Sequence, residues 1–298
     1  MSENRQMPLP TFAIVTPSYN QGLTIAGTLD SVLGQDYAAL EYAVIDGGSS
    51  DSAVDHIRAR GDELAYWCSE PDNGMYDAIN RGFARVRGEI MGWINSDDQY
   101  LPWTLEIVAE IFETFPEIEW LTSLQPMDLD SAGRPVRSRC TRGFNRAAFE
   151  RGEQVPLDWY ATNAISQECT FWRRSLWDRA GGAVADGLQC AADLELWARF
   201  FRLAELYGVT VPLAGARRWE ATKKSIKHED LCREETMAVF ADYGIRPRHR
   251  LTRRLYPRLV RSIPPRALRF SGLVRPTKVC YFWQGRWLIT TGYTGISD

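Results

Sequence analysis

The sequence predicts an α/β fold built on a mostly parallel central sheet. Three observations predict it. Short apolar runs rich in branched residues alternate with amphipathic runs from Phe12 to Leu124, the pattern of successive βαβ units. Each apolar run stops in a polar loop, so the strand ends collect at one edge, where an open α/β sheet binds its ligands. The 298 residues, 45% hydrophobic and 24% charged, can bury a large core and have a soluble globular composition.

The elements follow in order. Phe12–Thr16 is a buried strand, and Pro17–Gly22 the loop after it. Ile25, Leu29, Val32 and Leu33 recur at helical spacing, and Gly34 stops that helix. Glu41–Ile45 is the second strand, running into Asp46-Gly47-Gly48-Ser49-Ser50-Asp51, and Val54 and Ile57 mark the next helix. Leu64–Cys68 is a third strand, ending at Ser69–Gly74. Met75–Val86 is a helix with Ala78, Ile79 and Phe83 on one side. Ile90–Ile94 is a strand, Pro102–Phe115 a helix and Trp120–Leu124 a fifth strand. Met127–Val136 then reads as a hairpin turning at Ser131–Gly133. Gln167–Arg173 predicts a strand, Arg174–Ala180 a helix closed by Gly181-Gly182, and Asp193–Tyr207 a strong helix. Val209–Val211 is a short strand and Lys227–Tyr243 a last helix.

Composition narrows the class. Six cysteines, at 68, 140, 169, 190, 232 and 280, form no Cys-x-x-Cys pair. That argues against a zinc site or a disulfide framework and for reduced thiols in a cytoplasmic protein. No apolar run is long enough for a membrane helix, and Met1–Pro10 lacks a signal-peptide centre. Charge is unevenly placed: residues 1–244 carry −14 and residues 245–298 carry +11. The division implies a body over 1–244 and a basic, aromatic-rich C-terminal extension over 245–298. Pro257, Pro264 and Pro265 divide the extension into short pieces, expected to be amphipathic and helical. Two readings of it stand: contact with an anionic membrane surface, and packing on the acidic body. No motif for nucleic acid is present.

The chemistry gathers at the strand ends. Ile90–Ile94 runs into Asp97-Asp98. Two adjacent carboxylates repel unless a cation lies between them and a ligand, so the pair suggests a divalent metal on a phosphorylated substrate. Capping of the helix that Pro102 opens is the plain alternative. Asn20, Asp46 and Pro71-Asp72-Asn73-Gly74 stand at neighbouring strand ends. Asp46 could accept hydrogen bonds from a nucleobase, though a lone Asp here more commonly caps the helix after Ser52.

Five stretches, in this order, resemble glycosyltransferase family 2, the inverting nucleotide-sugar glycosyltransferases of GT-A fold. They are Ile14–Gln21, Val44–Asp51, Glu70–Gly82, Gly92–Asp98 and Ala192–Arg199, and together the resemblance covers about residues 11–240. The resemblance implies roles. Thr16, Pro17, Ser18, Tyr19 and Asn20 would line the nucleotide, and Asp46 would meet a uracil-type base. Asp72 and Asn73 would shape the floor near the sugar. Asp97 would face the ribose, Asp98 would ligate Mn²⁺ or Mg²⁺, and Asp193 would be the catalytic base. Asn95 and Ser96 stand where a full Asp-any-Asp metal motif has its first acid. Asp193 also begins a helix, which fits an N-cap.

The implied activity is transfer of a sugar from a nucleotide-diphosphate sugar, UDP-sugar favoured, to a hydroxyl of a glycan or lipid-linked glycan. The place would be the cytoplasm, at the inner face of the plasma membrane if the basic extension binds lipid. A sugar nucleotidyltransferase would want a glycine-rich basic loop after the first strand, which Thr16–Asn20 is not. A non-catalytic nucleotide-sugar-binding module is the other alternative. Lys223 or Lys224 would charge a loop over the diphosphate or form a solvated pair. His228 stands where relatives often place a metal-reaching residue. Gln167-Glu168 would border the acceptor, or Glu168 would be an ordinary paired acid.

Overall fold

The structure is a computed structural model, and it describes residues 9–141, 143–152, 154, 164–217, 229–246 and 276–293. Its frame is a nine-stranded sheet. The chain begins with β1 (Phe12–Ser18), α1 (Ile25–Leu33), β2 (Leu40–Asp46), α2 (Ala53–Ala59) and β3 (Tyr66–Ser69). It continues with α3 (Met75–Phe83), β4 (Ile90–Trp93), the two-residue β5 (Gln99–Tyr100), α4 (Thr104–Thr114) and β6 (Trp120–Ser123). β7 (Met127–Leu129) and β8 (Pro135–Ser138) form the expected hairpin. After α5 (Arg146–Phe149) come β9 (Thr170–Arg173), α6 (Arg174–Arg179), α7 (Ala192–Leu203), β10 (Leu206–Val209) and β11 (Ala214–Arg217). α8 (Glu229–Tyr243), β12 (Pro276–Trp283) and β13 (Arg286–Tyr293) complete the described elements.

The large sheet runs β13-β12-β10-β6-β9-β4-β1-β2-β3. β3, β2, β1 and β4 are parallel, and so are β6, β10 and β12. β9 lies antiparallel between β4 and β6, joining the two parallel blocks. Because β9 is reversed against both, β4 and β6 point the same way, and all seven parallel strands end at one edge. A small sheet, β5-β11-β7-β8, stands by itself.

Alternation along β1 shows how both faces are covered. Phe12 and Ile14 enter one core with Ile25, Leu29 and Val32 of α1, Ile57 of α2 and Leu105, Val108 and Phe112 of α4. Ala13 and Val15 enter the other with α3, α6, α7 and α8. The approach of α3 to β1 needs Gly82, where a Cβ would fall 2.4 Å from Val15 Cγ1. Pro17 is tolerated in this central strand because β4 pairs only with Phe12–Val15, so no ladder partner waits for its missing N–H.

Three expectations need correction. The helix expected over Asp193–Tyr207 stops at Leu203, and Leu206 and Tyr207 start β10. Residues 276–293 of the expected helical extension are a hairpin, with β12 paired to β10 at the edge of the main sheet. Thr277, Val279 and Tyr281 suit strands, and Gln284-Gly285 supplies a turn with φ of 49° and 77°. The rest of the extension, 247–275, lies outside the described residues. Finally, Cys190 and Cys232 form a disulfide, their Cα atoms 5.1 Å apart. No spacing motif marked them, since 42 residues separate them and packing of α8 brings them together.

Candidate active site

The loops after β1 and β2 are knitted into one wall. Asn20, held at φ 52°, accepts from the Ser50 amide at 2.9 Å, and its own amide donates to Ser49 Oγ at 2.7 Å. Asp51 accepts from Gly22 N at 2.8 Å and Ala53 N at 3.0 Å, tying the β1 loop to the start of α2. Asp46, expected to meet a base, is buried and turned into its own loop. Its carboxylate accepts from Gly48 N, Ser49 N, Ser49 Oγ and Ser69 Oγ at 2.5–3.2 Å. Four donors occupy it, so it shapes the loop. Thr16 is likewise buried, sharing a 2.9 Å hydrogen bond with Tyr42. Pro17 is inside β1, Ser18 ends it with a buried hydroxyl, and Tyr19 stands 59% exposed at the rim.

Asp72 takes the place beside this wall. One oxygen accepts from Gly74 N at 2.8 Å. The carboxylate lies over Gly47, close enough that a Cβ there would be 2.8 Å from Oδ2. The absent side chain at 47 therefore makes room for an acid supplied by the β3 loop. Asn73 is exposed, and its amide donates to Asp77 Oδ2 at 3.0 Å, which fixes the start of α3.

Asp98 is only 5% exposed. Its Oδ1 accepts from the Arg217 amide at 3.2 Å and its backbone carbonyl from Thr28 Oγ1 at 2.7 Å. Asn95 Nδ2 is 3.3 Å from Asp98 Oδ2 and 3.4 Å from Gln167 Oε1. Gln167 Nε2 donates to the Trp93 carbonyl at 2.6 Å. The Asp97-Asp98 loop is thus held by α1, β11 and the turn before β9, elements far apart in sequence. Among the described residues, no three His, Cys, Asp or Glu side chains enclose a metal. Mg²⁺ held by one or two carboxylates and a substrate diphosphate needs no such cage. The hard oxygen of Asp98, with buried Asn95 Oδ1 lacking a donor beside it, fits that chemistry.

Asp193 sits in the first turn of α7, where Ala191 is the cap residue. Its Oδ1 accepts from the Leu194 amide at 2.8 Å. The amides just before the helix are satisfied from outside. Glu235 of α8 accepts from Gln189, Cys190 and Ala191 at 2.8–3.2 Å, beside the Cys190–Cys232 bond. Glu235 thus ties the chain before the helix, while Asp193 takes a first-turn amide of α7 itself. Burial pushes its carboxyl up to about 6, the Leu194 amide holds it down in part, and the negative charge of Glu168 raises it further. Glu168 is 7% exposed, and its Oε1 is 3.7 Å from Arg139, which pairs with Asp128 at 2.9 Å.

A tryptophan stack braces the two halves. Trp93, just before the Asp97-Asp98 loop, stacks on Trp197 with centroids 6.0 Å apart and planes 4° apart. Trp197 lies one turn after Asp193 and also stacks on Trp120 at 5.6 Å. The strand end with Asp98 and the helix with Asp193 are thereby held in register. Several of these supports carried no motif: Arg217 acts through its backbone amide, and Glu235 looks like any acid on an exposed helix. Lys223, Lys224 and His228 lie outside the described residues.

Comparison with known proteins bears on the family and the fold. Residues 13–178 match the sequence pattern of Glycosyl transferase family 2. An uncharacterized glycosyltransferase of Mycobacterium tuberculosis is 31% identical over 187 residues, 62% of this chain and 67% of that protein. One from Rickettsia prowazekii is 25% identical over 209 residues, 70% of this chain and 63% of that protein. Among solved structures, S. aureus TarS 1-349 in complex with UDP-GlcNAc superposes with a TM-score of 0.61 at 16% identity, over 84% of this chain and 71% of that one. The mannosyltransferase PcManGT from Pyrobaculum calidifontis, in complex with GDP-Man and Mn²⁺, gives 0.54 at 17% identity, over 82% and 69%.

Proposed function

The chain belongs to glycosyltransferase family 2 and is a glycosyltransferase with the GT-A fold, and we propose that it is an inverting enzyme with Asp193 as base and a divalent cation at Asp98. The donor is a nucleotide-diphosphate sugar, UDP-sugar favoured, and the acceptor a hydroxyl of a glycan or lipid-linked glycan. One observation supports the reading above the others. The Asn95–Gln167 bridge runs from Asp98 to the residue beside Glu168, whose charge acts on Asp193, which supports reading the two acids as parts of one site.

Asp193 takes the proton of the acceptor hydroxyl as that oxygen attacks the anomeric carbon from the face opposite the diphosphate. The new carbon–oxygen bond forms, the sugar–phosphate bond breaks, and its electron pair leaves with the diphosphate, so the anomeric centre inverts. When bound, the cation, Mn²⁺ or Mg²⁺, supplies charge neutralisation to the leaving diphosphate. Asp98 and Asn95 would hold it, and Asp97 would face the ribose. Ser18, Tyr19, Asn20 and Asn73 line the nucleotide. Asp72 over Gly47 is the acid placed to meet the base, since Asp46 is occupied by its own loop.

The test is nucleotide diphosphate release from a panel of nucleotide sugars with Mn²⁺ or Mg²⁺. Asp98→Ala should lower release by about a hundredfold or more. Release by Asp98→Ala at the wild-type rate would remove the metal assignment. No turnover of any donor by the wild type would favour a non-catalytic binding module.

A further inference from the structure

The edge where the parallel strands end also carries the turn between β12 and β13. Cys280 is in register with Val209, the last residue of β10. Tyr281, Phe282 and Trp283 therefore run on past β10, by about 10 Å at strand rise. Gln284 and Gly285 close the turn with two successive positive φ values, the tight two-residue form that holds its flanking residues rigidly.

The tip is apolar and exposed. Phe282 and Trp283 are 52% and 59% exposed. The Phe282 ring packs edge-on against Trp287 at 5.4 Å, and Trp287 is pinned by a 2.8 Å hydrogen bond to Glu110. Trp283 is paired across the hairpin with Arg286, also exposed. The segment that carries this tip is basic in sequence. Residues 245–298 hold twelve Lys or Arg and one acid, whereas residues 1–244 are at −14. An anionic surface would repel the body and attract this segment, so only this segment is electrostatically suited to meet it. Aromatic side chains beside a cation are the composition that settles at the headgroup level of a bilayer.

We propose that the β12–β13 tip, Phe282 and Trp283 with Arg286, docks on an anionic phospholipid surface. The aromatic rings enter the interface and Arg286 pairs with headgroups. The inference stands apart from the catalytic assignments, because none of its residues touches the nucleotide loops.

Full-length protein is sedimented with vesicles of phosphatidylcholine alone and with vesicles carrying about a third phosphatidylglycerol. The expected result is binding to the anionic vesicles only, weakened by salt. F282S/W283S should reduce it about tenfold, and Arg286→Glu should also reduce it. Unfolding temperature and donor turnover should stay at wild-type values in both variants, which separates this outcome from loss of fold or of catalysis. Equal sedimentation of wild type and F282S/W283S overturns the proposal, and so does equal binding to neutral vesicles. A tip variant that keeps vesicle binding but loses affinity for a soluble glycan, or loses self-association, overturns it in favour of those occupants.

Discussion

Asp193 has a carboxyl that titrates late because of where it lies. The folded chain holds its proton up to about pH 6, against an ordinary value of 3.8. Between about pH 4 and 6 the folded state carries a proton that the unfolded state has lost, so stability falls as pH rises through that window and stays lower above it. Activity moves the other way, because the base works only when deprotonated, and kcat/KM should rise through about pH 6. Asp193→Asn should lose about 10²–10⁴ in transfer rate and erase that limb. It should also gain about 1–2 kcal/mol of stability at pH 8, discounted for the part of the side chain that still meets solvent. Thermal unfolding at pH 4 and pH 8, run beside kinetics, reads both. A second residue-scale prediction concerns position 47. Gly47→Ala should push the Asp72 carboxylate aside and raise donor KM about tenfold with kcat little changed; unchanged donor KM would deny Asp72 a place at the nucleotide. At this scale the sequence reads unevenly. A lone Asp at a strand end looks the same whether it reaches over a neighbouring loop, as Asp72 does over Gly47, or turns into its own, as Asp46 does. The four donors on Asp46 became visible only when Ser69 of β3 came alongside.

Elements were legible where period and length agreed. β1, β2, β4 and β6 are short apolar runs between polar loops, and α1, α3 and α4 keep their buried faces at helical spacing. Leu206 misled because it continues the apolar spacing of α7, while the chain in fact turns extended at Ala204 to join the sheet. The direction of β9 is not written in its run of Thr-Phe-Trp-Arg, since side-chain alternation is the same in parallel and antiparallel strands. α7 depends on its neighbours for alignment. Trp197 stacks on Trp93 and Trp120, Glu195 pairs with Arg199 at 2.7 Å, and Tyr243 of α8 hydrogen-bonds to Glu195. Trp197→Ala should cost about 3–5 kcal/mol of stability through the cavity it leaves. At temperatures where the variant is still folded, kcat should fall more than donor KM rises, because Asp193 loses its brace against the Asp97-Asp98 loop. Denaturant unfolding and steady-state kinetics measure the two effects separately, and an unchanged kcat would mean that the stack holds only the core.

At the scale of the whole molecule, two blocks of parallel strands are joined by one reversed strand. β4 pairs with β9, and β9 with β6, so β4 and β6 never meet. A ribosome delivers the chain from its N-terminus, and β6 is complete at Ser123, whereas β9 starts only at Thr170. Throughout that interval β4 and β6 each present an open hydrogen-bonding edge with nothing between them. Such edges recruit one another across molecules. A chain ending at residue 165 should therefore sediment as aggregate, although it contains the nucleotide loops and Asp98 in full. Extension to residue 298, which adds β9, β10, α8 and the β12–β13 hairpin that covers the β10 edge, should yield a monomer with cooperative unfolding; a monomeric, cooperatively unfolding 1–165 would refute the idea. The reversed strand thus makes assembly wait on synthesis. The loops that read as a nucleotide site are translated first on the β3-β2-β1-β4 block, but the β4 edge of that block stays open until the polypeptide that brings Asp193 is emerging behind them.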